Sequence, residues 1–182
     1  MIDKQLEKAK TLIHAIHEHT KNLPVSYVRD MEVYDDIIDD DNPFRIFMKF
    51  RSSLPESQLP LNVFVSGKYT GKTHSEVEQN VALACEYAQA IMLRGHNVFC
   101  PHTMTAHWEE SAPDIMYGEY ISMCKNYIGM WADTIFMLPG SDDSVGARVE
   151  LDYACKCDIV VYDKIEEVPF NWDRVFDRYG KE

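Results

Sequence analysis

A short apolar strand, a polar turn and a helix follow one another between residues 134 and 154, and this succession most constrains the fold. Residues 134–138 have the length and the β-branched and aromatic content of a buried strand. Pro139-Gly140 ends that strand, and beyond Gly146 apolar residues recur at three- and four-residue steps. Open α/β sheets bind ligands where a strand passes through a loop into a helix N-terminus. The stretch therefore predicts an α/β fold and the position of its site.

The same alternation of strand and helix begins at Asn62. A Ser75-x-x-Glu78 capping box indicates a helix start, and Gly95 indicates its end. The alternation predicts a doubly wound, flavodoxin-like parallel sheet of four to five strands with helices on both faces. The predicted strands are 63–65, 98–100, 134–138 and 159–162; the predicted helices are 75–94, 114–132 and the one that carries Glu150; residues 101–113 are predicted to be a long loop.

Residues 1–60 are predicted to form a mostly helical N-terminal extension, and residues 61–182 the α/β domain. An amphipathic helix is expected at residues 1–21, and residues 25–33 are strand-like. The acidic run between residues 35 and 41 lacks the glycine and the closing glutamate of a calcium loop, so we interpret it as a solvated turn. A polar linker is expected at residues 52–60 and a short terminal helix at 171–179.

Charge and hydropathy exclude several functions. The formal charge of −12 argues against a nucleic-acid polymer as partner, since phosphate contacts need clustered lysine and arginine. It leaves open a single nucleotide, which a few backbone N–H groups can bind. The chain has no apolar run of the roughly 20 residues that a membrane helix needs, and its start lacks a signal-peptide hydrophobic region. A cytoplasmic protein without a membrane partner is therefore expected.

Metal ligands and cofactors are not expected. The five cysteines are odd in number and have apolar neighbours, so we interpret them as reduced core residues. Cys155-x-Cys157 is shorter than the usual zinc pair and no second pair exists. His14 and His17 lie one turn apart, but no carboxylate is clearly placed beside them, and we interpret them as part of a half-exposed helix face.

The turn at residues 67–73 resembles a P-loop without matching it. Only three residues separate Gly67 from Gly71, where the motif requires four, and the predicted central strand ends in Leu138-Pro139 instead of a magnesium-binding aspartate. A nucleoside triphosphatase is therefore disfavoured. The turn still leads into a helix N-terminus, where an anion or a sugar phosphate can bind.

Glu150 is the candidate reactive group. It lies about one turn into its helix, where the positive end of the dipole favours an ionised carboxylate. A carboxylate near an anomeric carbon stabilises the positive charge that develops when an N-glycosidic bond breaks, and can trap the sugar covalently. Two other interpretations remain open: a module that binds ligand without turnover, and a solvated glutamate in an ordinary crossover.

Three motifs carry a resemblance to a known family. They are F-V-S-G-K-Y-T-G at residues 64–71, W-A-D at 131–133 and S-V-G-A-R-V-E at 144–150. They resemble the nucleoside 2-deoxyribosyltransferase superfamily, which includes 2'-deoxynucleoside 5'-phosphate N-hydrolases and small phage and bacterial proteins without an assigned role. The resemblance covers Asn62 to about Asp163. It implies a nucleoside or nucleoside 5'-monophosphate as ligand and a homo-oligomer whose neighbouring subunit completes the pocket.

The resemblance also implies roles for individual residues. Glu150 matches the nucleophile that forms a deoxyribosyl-enzyme, and Ser144 matches a serine that binds the 5'-phosphate in the nucleotide hydrolases. His102 falls at a base-pocket histidine. The loop that lines the sugar and base corresponds to Gly67, Lys68 and Tyr69. With N–H groups near Gly146 at the helix start, Ser144 predicts that monophosphates bind better than nucleosides.

One position departs from the family pattern. The family usually has an aspartate eight positions before the residue that matches Asp133, and here that position is Lys125. Lys125 lies on the helix stripe of Ile121, Cys124 and Ile128 and is expected to point toward the sheet. There it would either pair with Glu150 and weaken it as a nucleophile, or bind a substrate phosphate. Two alternatives remain. Either the match to the family is displaced by one helical turn, so that another residue takes this position, or the Lys125 side chain extends its ammonium to the edge of the buried face. Asp133 is expected to be structural.

Overall fold

The computed structural model describes residues 4–20, 46 and 59–179, and the chain divides into two compact units. One unit is Gln58–Asn171, and the other combines Met1–Ser57 with Trp172–Glu182. The described elements are α1 (Lys4–Thr20), β1 (Asn62–Ser66), α2 (His74–Leu93), β2 (Asn97–Phe99), α3 (Pro101–Met104), α4 (Trp108–Ser111), α5 (Tyr117–Met130), β3 (Thr134–Met137), α6 (Val145–Lys156), β4 (Val160–Tyr162) and α7 (Trp172–Tyr179).

The Gln58–Asn171 unit is built on a parallel sheet of four strands in the order β2-β1-β3-β4. The chain moves outward from β1 to β2 and then returns to place β3 on the other side of β1. At the carboxyl ends of the strands, Ser66 lies opposite Met137. Open α/β sheets bind ligands at this switch point. The predicted doubly wound sheet is confirmed with four strands.

Alternating side chains of β1 pack against helices on opposite faces of the sheet. Val63 and Val65 belong to a core cluster with residues of α2, whereas Phe64 packs in a second cluster with residues of α5 and α6. All three side chains are completely buried. The period of two along the strand therefore produces two cores and helices on both faces.

The start of α2 differs from the predicted capping box. Thr73, with extended backbone angles, is the N-cap, and its hydroxyl accepts a hydrogen bond from the Glu76 N–H at 3.2 Å. The Glu76 carboxylate in turn accepts from the Lys72 N–H at 2.6 Å. The same Ser/Thr-x-x-Glu pattern occurs two residues before Ser75, and the structure uses the earlier one.

Two further boundaries were predicted wrongly. The segment 101–113 contains α3 and α4 instead of one loop, and Pro101 begins α3 because its fixed φ suits the first helical position. The next helix begins at Tyr117 rather than at residue 114. Met116 has extended backbone angles, and the Glu119 carboxylate accepts its N–H at 2.8 Å, which fixes the helix start there.

In the second unit, the described helices α1 and α7 contact each other. The predicted helix 1–21 is seen as α1, with Ala9 completely buried. The strand-like segment 25–33, the acidic turn at 35–41 and most of the linker 52–60 lie outside the described residues. The predicted domain boundary at residue 61 remains a prediction. Within the described residues, no helix combines the length and the apolar character of a membrane span.

Candidate functional site

A cavity of about 700 Å³ opens at the carboxyl ends of β1 and β3. Its lining comes from the turn after β1, from α3, from α5 and from the start of α6. Glu150, Ser144, Gly146 and His102 all contribute to it, although they are far apart in sequence. The topology brings them together because the loops that follow adjacent parallel strands meet at one edge of the sheet.

Glu150 is buried in this cavity, with 6% of its surface exposed. The hydroxyl of Ser66, the last residue of β1, donates a hydrogen bond to Glu150 Oε2 at 2.5 Å. Burial raises the pKa of Glu150, and hydrogen bonds from Ser66 and Cys124 act in the opposite direction. The structure therefore excludes a solvated glutamate in a plain crossover.

Cys124 on α5 is the second polar neighbour of Glu150. Its thiol is buried, and burial together with the negative charge of Glu150 raises its pKa. The thiol consequently stays protonated and can donate to the carboxylate. The same charge contributes to the raised pKa of Tyr117, after the larger effect of burial. A single buried negative charge thus acts on two side chains of α5.

Ser144 is the N-cap of α6. Its hydroxyl accepts a hydrogen bond from the Ala147 N–H at 3.2 Å and remains free to donate through its own hydrogen. Gly146 lines the cavity, and a Cβ atom placed there would lie 3.1 Å from Tyr117 Oη. A side chain at Gly146 would therefore have to displace the Tyr117 hydroxyl by a few tenths of an ångström.

Of the three predicted site residues in the turn after β1, Gly67 and Tyr69 line the cavity. Gly67 is buried, and a Cβ there would lie 2.5 Å from Leu138 Cδ1, so the strand ends can approach only with glycine. Lys68 is exposed and is not among the described residues that line the cavity. Tyr69 lines it, and its hydroxyl donates to Glu109 at 2.8 Å. Burial raises the pKa of Tyr69 to about 12, so this hydroxyl is a donor at neutral pH.

His102 on α3 is buried with 4% of its surface exposed. Burial lowers the pKa of its ring, while the carbonyl groups of Gly67 and Lys68 act in the opposite direction. The ring is therefore neutral at pH 7, with one nitrogen a donor and the other an acceptor. The Tyr69 ring packs edge-on against the His102 ring, with the two ring centroids 6.1 Å apart.

Three buried polar atoms of the lining make no hydrogen bond of good geometry in the described part of the chain, although the backbone of Gly67 and Lys68 acts on the His102 ring. They are both ring nitrogens of His102 and the hydroxyl of Tyr120. Native proteins pair nearly all buried polar atoms, because each unpaired one costs about 1–3 kcal/mol. These polar atoms of the cavity are available to hydrogen-bond with water or with a polar ligand.

Lys125 does not take the position expected from its stripe on the helix. Its ammonium lies 5.7 Å from the centroid of the Tyr153 ring, and its neighbour Cys124 is the residue that contacts Glu150. No salt bridge between Lys125 and Glu150 occurs among the described residues, and Lys125 does not belong to the described lining. The predicted pairing of Lys125 with Glu150 is therefore wrong. Cys124 contacts Glu150 instead, and neighbouring residues of a helix lie about 100° apart around its axis.

Two other expectations from the sequence can be compared with the structure. The Asp133 carboxylate accepts the Asn62 N–H at 2.8 Å and so ties the starts of β3 and β1 together, as expected of a structural residue. All five cysteines are free, but Cys155 and Cys157 are exposed. Their prediction as core residues was wrong, because Cys155 lies in the exposed last turn of α6 and Cys157 is the C-cap of that helix.

Sequence reasoning missed Ser66, Cys124, Tyr120 and Glu109. Ser66 was within a quoted motif, and its place at the end of β1 was a signal that it faces the switch point. Cys124 was assigned to the core because a buried cysteine among apolar residues has the same pattern. No comparable signal existed for Tyr120 or Glu109.

The family model described as "Domain of unknown function (DUF4406)" matches residues 61–163, more than half of the 182 residues. The chain therefore belongs to this family. No curated protein and no solved structure matches the chain.

Proposed function

We propose that this member of the DUF4406 family cleaves or transfers the N-glycosidic bond of a nucleoside or a nucleoside 5'-monophosphate, with Glu150 as nucleophile. The observation that carries the proposal is a buried carboxyl group at the switch point of a parallel sheet, hydrogen-bonded by Ser66 and open to a cavity of about 700 Å³. A cavity of this volume suits a small molecule of nucleoside size. The resemblance to nucleoside 2-deoxyribosyltransferases supplies the reaction type.

In this proposal the ionised Glu150 attacks the anomeric carbon as the bond to the base breaks. The bond electrons leave with the base, which takes up a proton from water, and a glycosyl ester with Glu150 forms. Water or a second base then attacks the same carbon and regenerates the carboxylate. Ser66 and Cys124 orient the nucleophile and stabilise its ionised form.

His102 is proposed to contact the base. Its neutral ring offers one donor and one acceptor, and neither nitrogen makes a hydrogen bond of good geometry within the described residues. The edge of a nucleobase presents alternating donors and acceptors, so a planar heterocycle satisfies both nitrogens better than a purely apolar ligand. The proposal needs no cofactor.

A non-catalytic binding module is the second candidate, and one observation favours it. Burial raises the pKa of Glu150, and a protonated carboxyl binds ligand by hydrogen bonds but does not attack carbon. Incubation of the protein with a panel of nucleosides and monophosphates distinguishes the two functions. Chromatography should show free base with at least one of them. Binding by calorimetry without base release over the whole panel would identify a binding module.

The preferred charge of the ligand is a separate question. Ser144 at the α6 N-terminus favours a phosphate, whereas the described lining contains the carboxyl groups of Glu109, Asp143 and Glu150 and no lysine or arginine. We keep the prediction that a monophosphate binds more tightly, through Ser144 and the N–H groups near Gly146. Calorimetry with one nucleoside and its 5'-monophosphate tests it; equal or weaker affinity for the monophosphate would contradict it.

A homo-oligomer remains part of the proposal. Met116, Tyr117 and Val145 are large apolar residues with more than half of their surface exposed, and the last two line the cavity. Apolar side chains at a cavity mouth are suited to contact with another subunit. Light scattering on the purified full chain separates monomer from oligomer.

A further inference from the structure

Two histidines and a glutamate converge outside the residues assigned to Glu150 and its neighbours. His74 and Glu78 lie one turn apart on α2, and His107 is the residue just before α4. One ligand atom from each of the three lies within 4.8 Å of the other two. None of the functions proposed above uses this cluster.

The distances between the three ligand atoms are close to those of a metal site, although Glu78 Oε1 and His107 Nε2 lie at hydrogen-bond distance. Glu78 Oε1 lies 2.9 Å from His107 Nε2 and 3.5 Å from His74 Nε2. Metal–ligand bonds of about 2.0–2.2 Å in a tetrahedron place ligand atoms about 3.3–3.6 Å apart. Small side-chain rotations would therefore admit an ion between the three atoms.

The arrangement is more than a surface pair on one helix. His74 and Glu78 alone would form an ordinary i,i+4 contact between exposed residues, but His107 comes from a different element and is about one-third exposed. Glu110 adds a carboxylate 3.7 Å from His74 Nδ1, on the other side of that ring. Outer carboxylates of this kind orient ligating histidines in metal sites.

We propose that His74, Glu78 and His107 bind one divalent transition-metal ion such as Zn²⁺. Imidazole nitrogen and carboxylate oxygen suit Zn²⁺ and its neighbours in the first transition row, whereas Mg²⁺ and Ca²⁺ prefer oxygen ligands alone. Three protein ligands leave a fourth position for water. The two nearby glutamates make the cluster negatively charged when the histidines are neutral, so a divalent cation also balances charge.

The site connects directly to the wall of the cavity. The His107 N–H donates a hydrogen bond to Tyr69 Oη at 2.9 Å, and Tyr69 donates to Glu109. His107 itself has a positive φ of 60°, which a non-glycine residue adopts only when its surroundings hold it. A bound ion would fix His107 and, through it, two residues of the cavity lining.

The test is a calorimetric titration of Zn²⁺ into the full chain, purified without a histidine tag and stripped with a chelator. The expected result is one ion per chain. His74→Ala, Glu78→Gln and His107→Asn should each weaken binding at least tenfold. Asparagine is chosen at His107 because it tolerates positive φ. Glu86→Gln is the matched control, because it removes the same charge from an exposed position two turns along α2.

The titration measures metal binding without any need for catalytic activity, and a loss of binding can be distinguished from misfolding. Circular dichroism checks that each variant retains the fold, and the three ligands are replaced on partly or fully exposed positions. Wild-type affinity in any of the three variants would overturn the proposal, and so would the absence of binding by wild type. Loss of the ion in a Cys155→Ser, Cys157→Ser variant instead would assign the metal to the exposed cysteines. Each result stands whether or not the protein releases base.

Discussion

The carboxyl group of Glu150 is subject to two opposing effects. Burial favours its protonated form, and the hydrogen bonds from Ser66 and Cys124 favour its ionised form. Burial is the larger effect and raises the pKa, so the proposed nucleophilic attack requires a working pH above the raised pKa of Glu150. Ser66 is therefore a positioning residue whose influence can be read from a pH profile.

Ser66→Ala should move the acidic limb of the pH–rate profile of base release to higher pH. Loss of a hydrogen bond to the carboxylate raises the pKa of Glu150 further, so a higher pH is needed to ionise it. The shift should be about one pH unit, since a charge-assisted hydrogen bond contributes about 1.5 kcal/mol and one unit is 1.36 kcal/mol. Ser122→Ala, at an exposed position of α5, is the control. An unchanged limb would show that Ser66 does not act on the nucleophile.

At this scale the sequence predicted the position of Glu150 and not its environment. The spacing after Pro139-Gly140 placed Glu150 on the first turns of a helix at the sheet edge, which the structure has. Its partner Ser66 is 84 positions away in the chain, and the side of α5 that faces the carboxylate depends on how that helix packs against the sheet. Cys124, and not its neighbour Lys125, contacts the carboxylate.

At the scale of elements, local sequence patterns predicted the presence of the long helices correctly but did not predict where those helices begin. Thr73-x-x-Glu76 and Ser75-x-x-Glu78 both fit a capping box, and no local rule separates them. The structure uses Thr73, whose extended backbone and hydroxyl satisfy the Glu76 N–H. The α3 and α4 turns were missed for a similar reason, since short helices have no apolar period long enough to detect.

Thr73→Ala should lower the free energy of unfolding by about 1 kcal/mol, because it removes the side chain that caps α2. Ser75→Ala should change it by less than about 0.5 kcal/mol, since Ser75 is exposed within the first turn. Urea denaturation followed by circular dichroism measures both. A larger effect of Ser75→Ala than of Thr73→Ala would show that Ser75, the residue predicted from sequence, is the N-cap of α2.

For the whole molecule, the strand order follows from the alternation of strand and helix, and the site follows from the strand order. The order β2-β1-β3-β4 places the switch point between β1 and β3, where the carboxyl ends open onto the cavity. The alternation of strand, turn and helix therefore predicted where the cavity lies, and ligand binding there remains a prediction. That alternation did not predict the available polar atoms of His102 and Tyr120, which depend on three-dimensional packing.

A buried carboxyl group with a raised pKa makes the stability of the whole fold depend on pH. The unfolded chain releases the proton of Glu150 near the ordinary value of 4.5, whereas the folded chain retains it to higher pH. Stability is therefore lost as pH rises from about 4.5 through the raised pKa. Glu150→Gln should unfold at higher urea concentration than wild type at pH 7 and at a similar concentration at pH 4. A variant that is less stable at pH 7 would contradict the raised pKa.

The rate of base release by Glu150→Gln tests the central claim most directly. Wild type, Glu150→Gln and Asp152→Asn are compared on the nucleoside or monophosphate that wild type cleaves best, with free base measured by chromatography. Asp152 is an exposed acid on the same helix, so it controls for the loss of one charge. The proposed mechanism predicts wild-type rates for Asp152→Asn and a loss of several orders of magnitude for Glu150→Gln. A Glu150→Gln protein that releases base at the wild-type rate would show that Glu150 is not the nucleophile.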